Sequence, residues 1–594
     1  MEMEQQLEWN EAQKIVINVD LVAAAKLHLE FLATLDRNRW LYEAPALNLA
    51  IYRYYSCWLP LLAKHSESPF FEGPLVVPLD CEWIWHCHRL NPVSRPHMNN
   101  ELYLEGAVAR YKGFLHLIRR NRERSIKSFS VPTYDIDLIW HTHQLHPISY
   151  CKDLVDIMGK VLDHDDTDSD RTKGMKLDTG FSGTTKLWEE MYGLRYWRAG
   201  AMYRGNAPSP VRICPYPSNS MSKKANTFHA DQKIIHLPEM KVLEVMLEII
   251  SIRNLPEGQK GCFFVSFSKT QPDRIFNAKK KLTIFSECGE KQVAYFQCEP
   301  SGHLLLELMS QSSHGLPISK SVEVLGSTAF SLEDLICPAS KLTMEKWLEV
   351  VPSTKIEVLE PICIRVAVSV TTPTAAPYVF HMVRSRAFTK TSCFFPLPGS
   401  IQYAKNWTGV IDDAGDEVIS LQMRNSKKSK RMSNSTLQKE VIGISKSGET
   451  HSLAELVGKE WLLLDSHWSL QLQTCSGDEG YLLELVGGSR IVKFFPGQRL
   501  DYEHKHCAKR RNQDDFMTAV EFSSEHPYGR ALALLDLKCG VINVKEEWLL
   551  LPGTITAFIL GDILRKEGYS SLLSSGNNLK DKNNSIEETN ACNE

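Results

Sequence analysis

The sequence predicts a multidomain α plus β protein, an all-α N-terminal region followed by two β-rich domains. Three observations carry this. Up to about Arg204 apolar residues recur three and four apart, the period of amphipathic helices. From about Ile234 they fall into short β-branched runs between turn residues, the pattern of strands. Within the first region one segment occurs twice, so a helical unit has been duplicated.

Composition sets the outer limits. A chain of 594 residues, 43% hydrophobic and 23% charged, has material for about four domains with sizeable cores. A formal charge of −3 gives no overall pull toward nucleic acid or anionic membrane. The acidic start Met1-Glu-Met-Glu-Gln-Gln-Leu-Glu-Trp-Asn10 lacks an apolar leader, and no stretch approaches eighteen uninterrupted apolar residues, so neither secretion nor a transmembrane segment is expected. The 15 cysteines are scattered without framework spacing, which suits a reducing compartment.

In the helical region, residues 1–205, the periodic stretches are Val19 to Leu35, Pro45 to Ala63 and Leu102 to Ile118. Trp40, Tyr52, Tyr54, Tyr55 and Trp58 are assigned to its core. The duplicated segment is Asp80-Cys-Glu-Trp-Ile-Trp-His-Cys-His-Arg-Leu-Asn-Pro-Val-Ser94 and Asp135-Ile-Asp-Leu-Ile-Trp-His-Thr-His-Gln-Leu-His-Pro-Ile-Ser149, 55 residues apart at every aligned position. Each copy follows a Val-Pro pair and opens with two acids, Asp80 and Glu82 or Asp135 and Asp137, as a capped helix start does. On a helix, Glu82 shares a face with His86 and Asp137 with His141, giving two carboxylate–imidazole pairs. His88 and His143 turn instead toward the face of Trp85 and Trp140. Two such helices face to face would join Glu82, His86, Asp137 and His141. That cluster has three readings: a satisfied structural polar network, a zinc or iron site, or a proton-transfer pair. The structural reading is preferred, so no cofactor is expected. Trp85 and Trp140 are both expected to be buried, with Asp80, Trp85, His88, Asp135, Trp140 and His143 forming the motif core.

The run Asp163 to Arg171 holds five aspartates but lacks the glycine and terminal glutamate of an EF-hand at the required spacing, so a solvated acidic linker is expected. Residues 206–233 read as a linker. Residues 234–385 show the strand runs Lys241 to Ile252, Cys262 to Phe267, Leu304 to Leu308 and Ile362 to Val370. With Ile252-Arg-Asn-Leu-Pro256, Leu325-Gly-Ser327 and Trp347-Leu348 they resemble a C2-like β-sandwich. Loops Pro256 to Gly261 and Met309 to Leu316 contain no aspartate, so calcium-dependent membrane binding is not expected. Lys279-Lys280-Lys281 is read as a solvated guard of an edge strand, with acidic lipid headgroups as the alternative.

A second β-rich, barrel-like domain is expected over 386–567, from strand runs near 409–423, Trp461 to Leu464, Tyr481 to Leu485, Ile491 to Phe495 and Trp548 to Leu551. The basic clusters Ser426 to Arg431 and Lys509 to Arg511 are read as loops, with nuclear entry or nucleic-acid contact as the alternative. Residues 568–594 are Ser-, Asn- and Lys-rich and are expected to be disordered.

The paired motif, Arg95-Pro-His-Met-Asn-Asn-Glu-Leu-Tyr-Leu-Glu-Gly-Ala-Val-Ala-Arg110, His164-Asp-Asp-Thr-Asp-Ser-Asp-Arg171 and Tyr196-Trp-Arg-Ala-Gly-Ala-Met-Tyr-Arg204 resemble the plant glycine-rich domain-containing proteins over almost the whole chain. Two departures stand out: members carry a longer segment after the first Asn-Pro-Val, as a splice variant would lose, and usually a glycine-rich tail. The resemblance implies a non-enzymatic regulatory or scaffold protein of development and of auxin, abscisic acid and abiotic stress responses, with protein partners, in the cytoplasm or, as second choice, the nucleus. An RNA-associated regulator and a metal-dependent enzyme at the paired acid/His motif are the alternatives. The RNA alternative rests on Tyr111-Lys-Gly-Phe114, which is similar to the core of an RNA-recognition motif but continues a helical period.

Overall fold

The change of hydrophobic period near Ile234 is a change of architecture. The computed structural model describes residues 2–37, 41, 44–67, 76–89, 96–126, 129–162, 170–202, 234–235, 237–255, 262–311, 322–353, 360–384, 407–412, 415–425, 439–458, 460–472, 483–488, 490–496, 516–522 and 530–567. Most of the acidic run, the linker, loops 256–261 and 312–316, both basic clusters and the C-terminal tail lie outside the described residues.

Before residue 202 the secondary structure is helical: α1 (Glu2–Gln13), α2 (Leu21–Arg37), α3 (Ala44–Arg53), α4 (Leu59–Glu67), α5 (Leu79–Arg89), α6 (Glu101–Glu123), α7 (Tyr134–Gln144), α8 (Pro147–Met158) and α9 (Lys176–Tyr192). A π-helical segment, Tyr54–Trp58, joins α3 to α4. Of the core aromatics assigned there, Tyr54 and Trp58 are buried but Tyr52 and Tyr55 are exposed. A helix buries one stripe, and these two lie off it. The duplicated segments form α5 and α7, and α6 packs on α7.

The next part is a β-sandwich with strands β1 (Lys241–Arg253), β2 (Cys262–Lys269), β3 (Lys280–Thr283), β4 (Val293–Cys298), β5 (His303–Gln311), β6 (Val322–Ser331), β7 (Thr343–Glu349), β8 (Val351–Pro352), β9 (Cys363–Val370) and β10 (Thr374–Ala375). One sheet runs β10-β1-β9-β7 with β4 also on β1; the other runs β3-β2-β5-β6-β8. Lys280 and Lys281 sit on the edge strand β3.

Twelve strands, from Tyr378–Arg384 to Val541–Val544, then close into an antiparallel barrel, the last pairing with the first. Its first strand lies inside the 234–385 expected for the sandwich, because a strand's period does not say which sheet it joins. The run Trp548 to Leu551 is not a strand: Glu547–Leu549 is a 3₁₀ turn leading into the helix Leu550–Glu567. A short apolar run does not distinguish a strand from a buried helix. That helix is buried around its whole circumference from Leu550 to Leu560 and shares one core with inward barrel residues such as Phe380, Leu421, Trp461 and Leu535. A helix without a polar face needs apolar partners on all sides, and the barrel supplies them. No helix among the described residues is long and apolar enough to cross a membrane.

By packing, the chain divides into two units: residues 1–34, 82–204 and 240–375, and residues 35–81, 205–239 and 376–594. The helical region of 1–205 is therefore shared between the units, since periodicity reports local structure and not long-range packing. In the first unit the stretch 195–201 joins helices to sandwich. Trp197, Ala199, Met246 and Ala367 form a buried cluster, the Trp197 Nε1–H donates to Glu248 Oε2 at 2.8 Å, and the Ala199 N–H donates to Ser369 Oγ at 3.1 Å. Arg195 lies 3.2 Å from Glu189, 3.7 Å from Glu248 and 3.4 Å from Glu345. Burial pushes the Glu248 carboxyl above its ordinary range, against the pull of Lys291, Trp197 and Arg195. Trp197→Phe keeps the ring but leaves that buried carboxylate without its indole donor, so a loss of about 1–3 kcal/mol is expected in urea unfolding of the full chain. An unchanged midpoint would show that the bond contributes nothing.

Candidate functional site

The first motif acid of α7 anchors the first unit. Asp135 is fully buried and receives Arg110 Nε at 2.8 Å, Arg198 Nη1 at 3.0 Å and the Thr133 hydroxyl at 2.5 Å. Desolvation raises its pKa, but the charges of Arg110 and Arg198 and the Thr133 and Arg198 hydrogen bonds outweigh it and bring the carboxyl down to about 2. The same guanidinium groups reach the backbone: Arg110 donates to the Tyr196 carbonyl and Arg198 to the Tyr103 carbonyl. One carboxylate thus ties α6, the start of α7 and the 196–201 stretch together. Gly106 leaves room for this, since a Cβ there would meet Arg198 Nη2 at 2.7 Å. Sequence reasoning missed both arginines, although they lie within the long words Arg95 to Arg110 and Tyr196 to Arg204. The missed signal was an acid placed on a helix face that is otherwise apolar. In the first copy Asp80 takes the matching part in a simpler form, paired with Arg53 at the end of α3 at 2.5 Å.

Trp140 is 5% exposed, packs against Phe114 and donates its Nε1–H to Tyr150 Oη at 2.9 Å. Trp85 is only half-buried, and Trp83 is the buried indole of α5. The expected equivalence of the two tryptophans therefore does not hold: one turn of α5 faces the core through a different residue. His143 is fully buried between the Tyr111 hydroxyl, 3.1 Å from Nδ1, and Asp153, 3.2 Å from Nε2. Its pKa is lowered by burial against the raising effect of Asp153. The side chain of His88 lies outside the described residues.

The two carboxylate–imidazole pairs also differ. His141 Nε2 lies 3.4 Å from Asp137 Oδ1, as helix spacing predicts. No hydrogen bond or ion pair joins Glu82 to His86. Glu82 stays half-buried with its pKa raised by desolvation. His86 turns inward to Trp83, Phe31 and His28. Sharing a helix face permits a pair, but the apolar pocket wins the ring.

His28, from α2, is the residue that sequence reasoning did not place. Its ring centroid is 5.0 Å from that of His86, and its Nδ1 is 2.9 Å from Thr142 Oγ1, next to His141. Burial, then the neighbouring His86 and His141, lowers its pKa to about 3; burial and His141 lower that of His86 to about 4. Both rings are neutral at physiological pH, and the buried Nε2 atoms of His28 and His86 have no hydrogen-bond partner. An unsatisfied buried nitrogen costs about 1–3 kcal/mol, so such a pair calls for an explanation. Among the described residues, no group of three or more His, Cys, Asp or Glu side chains is arranged as it stands to hold a metal ion.

Tyr111, Gly113 and Phe114 are buried inside α6. Rings enclosed in a helix core cannot stack bases, which removes the stacking surface that an RNA-recognition reading requires.

The comparisons with known proteins cover the same ground. A family described as the C2 domain of glycine-rich domain-containing protein matches residues 239–372, one described as the Glycine Rich Domain Protein C-terminal domain matches 410–544, and one described as glycine-rich domain-containing protein-like matches 91–153. Glycine-rich domain-containing protein 2 of Arabidopsis thaliana is 50% identical over 658 aligned positions, covering 96% of this chain and 82% of the relative. Glycine-rich domain-containing protein 1 of the same plant is 49% identical over 655 positions, covering 96% and 80%. Among solved structures, a C2 domain of plant Extended Synaptotagmin 1 matches 23% of this chain and 99% of its own at 11% identity, with a TM-score of 0.17.

Proposed function

Because this chain belongs to the glycine-rich domain-containing protein family, we propose that it acts as a non-enzymatic regulatory scaffold in plant development and in auxin, abscisic acid and abiotic stress responses. The observation that supports this most is the seam at Trp197, Arg195 and Ala199, which spends one face of the C2-like sandwich on the helices and makes a composite body. A sandwich so used keeps its loops and remaining edges for protein partners. Its loops 256–261 and 309–316 carry no aspartate, so the reading assigns it no calcium-triggered membrane step. The scaffold is placed in the cytoplasm, with the nucleus as second compartment.

The test is rescue. An Arabidopsis thaliana line lacking both relatives, transformed with this chain, should regain the auxin and abscisic acid responses of root growth in proportion to the amount of protein, as a stoichiometric scaffold requires. A line that accumulates the protein with unaltered responses would refute the assignment. So would full rescue at trace expression, which a turnover enzyme gives and a scaffold does not.

A further inference from the structure

We infer that His28, His86 and His141 form a binding site for one divalent transition-metal ion of the zinc class, with the Asp137 carboxylate beside them as the fourth donor. This goes beyond the scaffold reading and does not depend on it.

The neighbours of His28 fix its tautomer. The Thr142 hydroxyl donates its only proton to the Leu138 carbonyl at 2.8 Å, so toward His28 Nδ1, at 2.9 Å, it can only accept. The proton of His28 therefore sits on Nδ1, and its Nε2 carries a lone pair. A second-shell hydrogen bond that fixes one ring nitrogen and frees the other is how metal-binding histidines are commonly held. That Nε2 is buried and makes no hydrogen bond, and neither does Nε2 of His86, whose residue is 1% exposed.

The spacing of the rings also suits a shared ion. Two imidazoles on one tetrahedral zinc, each nitrogen about 2.0–2.1 Å from the ion, hold their ring centres about 5 Å apart. The centroids of His28 and His86 are 5.0 Å apart. Parallel stacking would bring no two nitrogens onto one ion, but these rings are tilted by 60°. His141 is the third imidazole, since it lies near enough for its charge to act on both His28 and His86. It must turn Nε2 from Asp137 toward the shared point, and Asp137, 3.4 Å away, is already beside it. Three imidazoles and a carboxylate make a borderline donor set that suits zinc over calcium or magnesium. The ligands come from α2, α5 and α7, and an ion would pin three helices that are remote in sequence.

Glu82 has no part in this site. The duplicated motif gives each copy one histidine ligand, but the acid comes from the second copy alone and the third imidazole from outside the repeat.

The competing account is a buried water between the two nitrogens. It is separated by stripping the full-length protein with chelator and reloading it with Co²⁺ under reducing conditions. The expected result is one Co²⁺ per chain with the intense visible bands of a four-coordinate ion and no thiolate-to-cobalt charge transfer in the near ultraviolet. His28→Gln and His86→Gln should each lose the bands while keeping the wild-type circular dichroism. His116→Gln, at a histidine paired with Glu8 elsewhere, should keep them. Absence of stoichiometric binding by the wild type, a thiolate band, or bands that survive both substitutions would overturn the site. If a variant does not fold, X-ray absorption of the zinc-loaded wild type decides: scattering from imidazole rings supports the site, and a sulfur-only or oxygen-only shell overturns it.

Discussion

Trp140→Ala is expected to destabilise the first unit by about 3–5 kcal/mol, the range for truncating a large buried aromatic. The side chain fills the space between α6 and α8. It packs on Phe114 and its indole N–H is the donor to Tyr150, whose hydroxyl in turn bonds the Leu162 carbonyl. Alanine leaves a cavity and removes that donor. Calorimetry of the full chain should show one transition lowered by roughly 10 °C. Trp85→Ala should move it much less, because Trp85 is half-buried and the first copy seats Trp83 instead. Equal losses for the two variants would contradict this asymmetry between the copies. An unshifted transition in Trp140→Ala would contradict the core assignment altogether.

Asp135→Asn is expected to have an effect of similar size, about 3–5 kcal/mol, since it leaves two guanidinium groups facing a neutral amide in a dry site. The wild type should also show the acid's pH signature. The folded pKa, about 2, lies below the ordinary value of 3.8. The stabilisation is therefore complete above about pH 4 and is lost as pH falls through 2. A shift of nearly two units corresponds to roughly 2.5 kcal/mol. Urea midpoints measured from pH 5 to 2 should fall more steeply in the wild type than in Asp135→Asn. Parallel curves would mean that the carboxylate is not held as described.

The sequence disclosed the helices, the strands and the repeat because each depends on local pattern. The period of Leu102 to Ile118 marks α6, and the apolar run of 362–370 marks β9. The helix Leu550–Glu567 escaped because its whole circumference is apolar inside the barrel, so it has no amphipathic period to read. The candidate site was half legible. Spacing of four joins Asp137 to His141, whose Nε2 lies 3.4 Å from the carboxylate. The same spacing failed for Glu82 and His86, where Trp83, Phe31 and His28 draw the ring inward. His28 carries no sequence signal, being a lone histidine on an apolar helix. Arg110 and Arg198 are far from Asp135 in sequence, and only the folded chain brings them to it.

The central claim is that Asp135, through Arg198 and the 196–201 stretch, makes the helices and the C2-like sandwich one folding unit. Amide hydrogen exchange of the full-length protein and of Asp135→Asn tests it most directly, because exchange resolves the two parts separately. The account predicts that substitution accelerates exchange together in α6, α7, β1 and β9, although the hydrogen bonds of Asp135 go to Arg110, Thr133 and Arg198 and to no strand residue among those described. Faster exchange confined to α6 and α7, with β1 and β9 as protected as in the wild type, would contradict it.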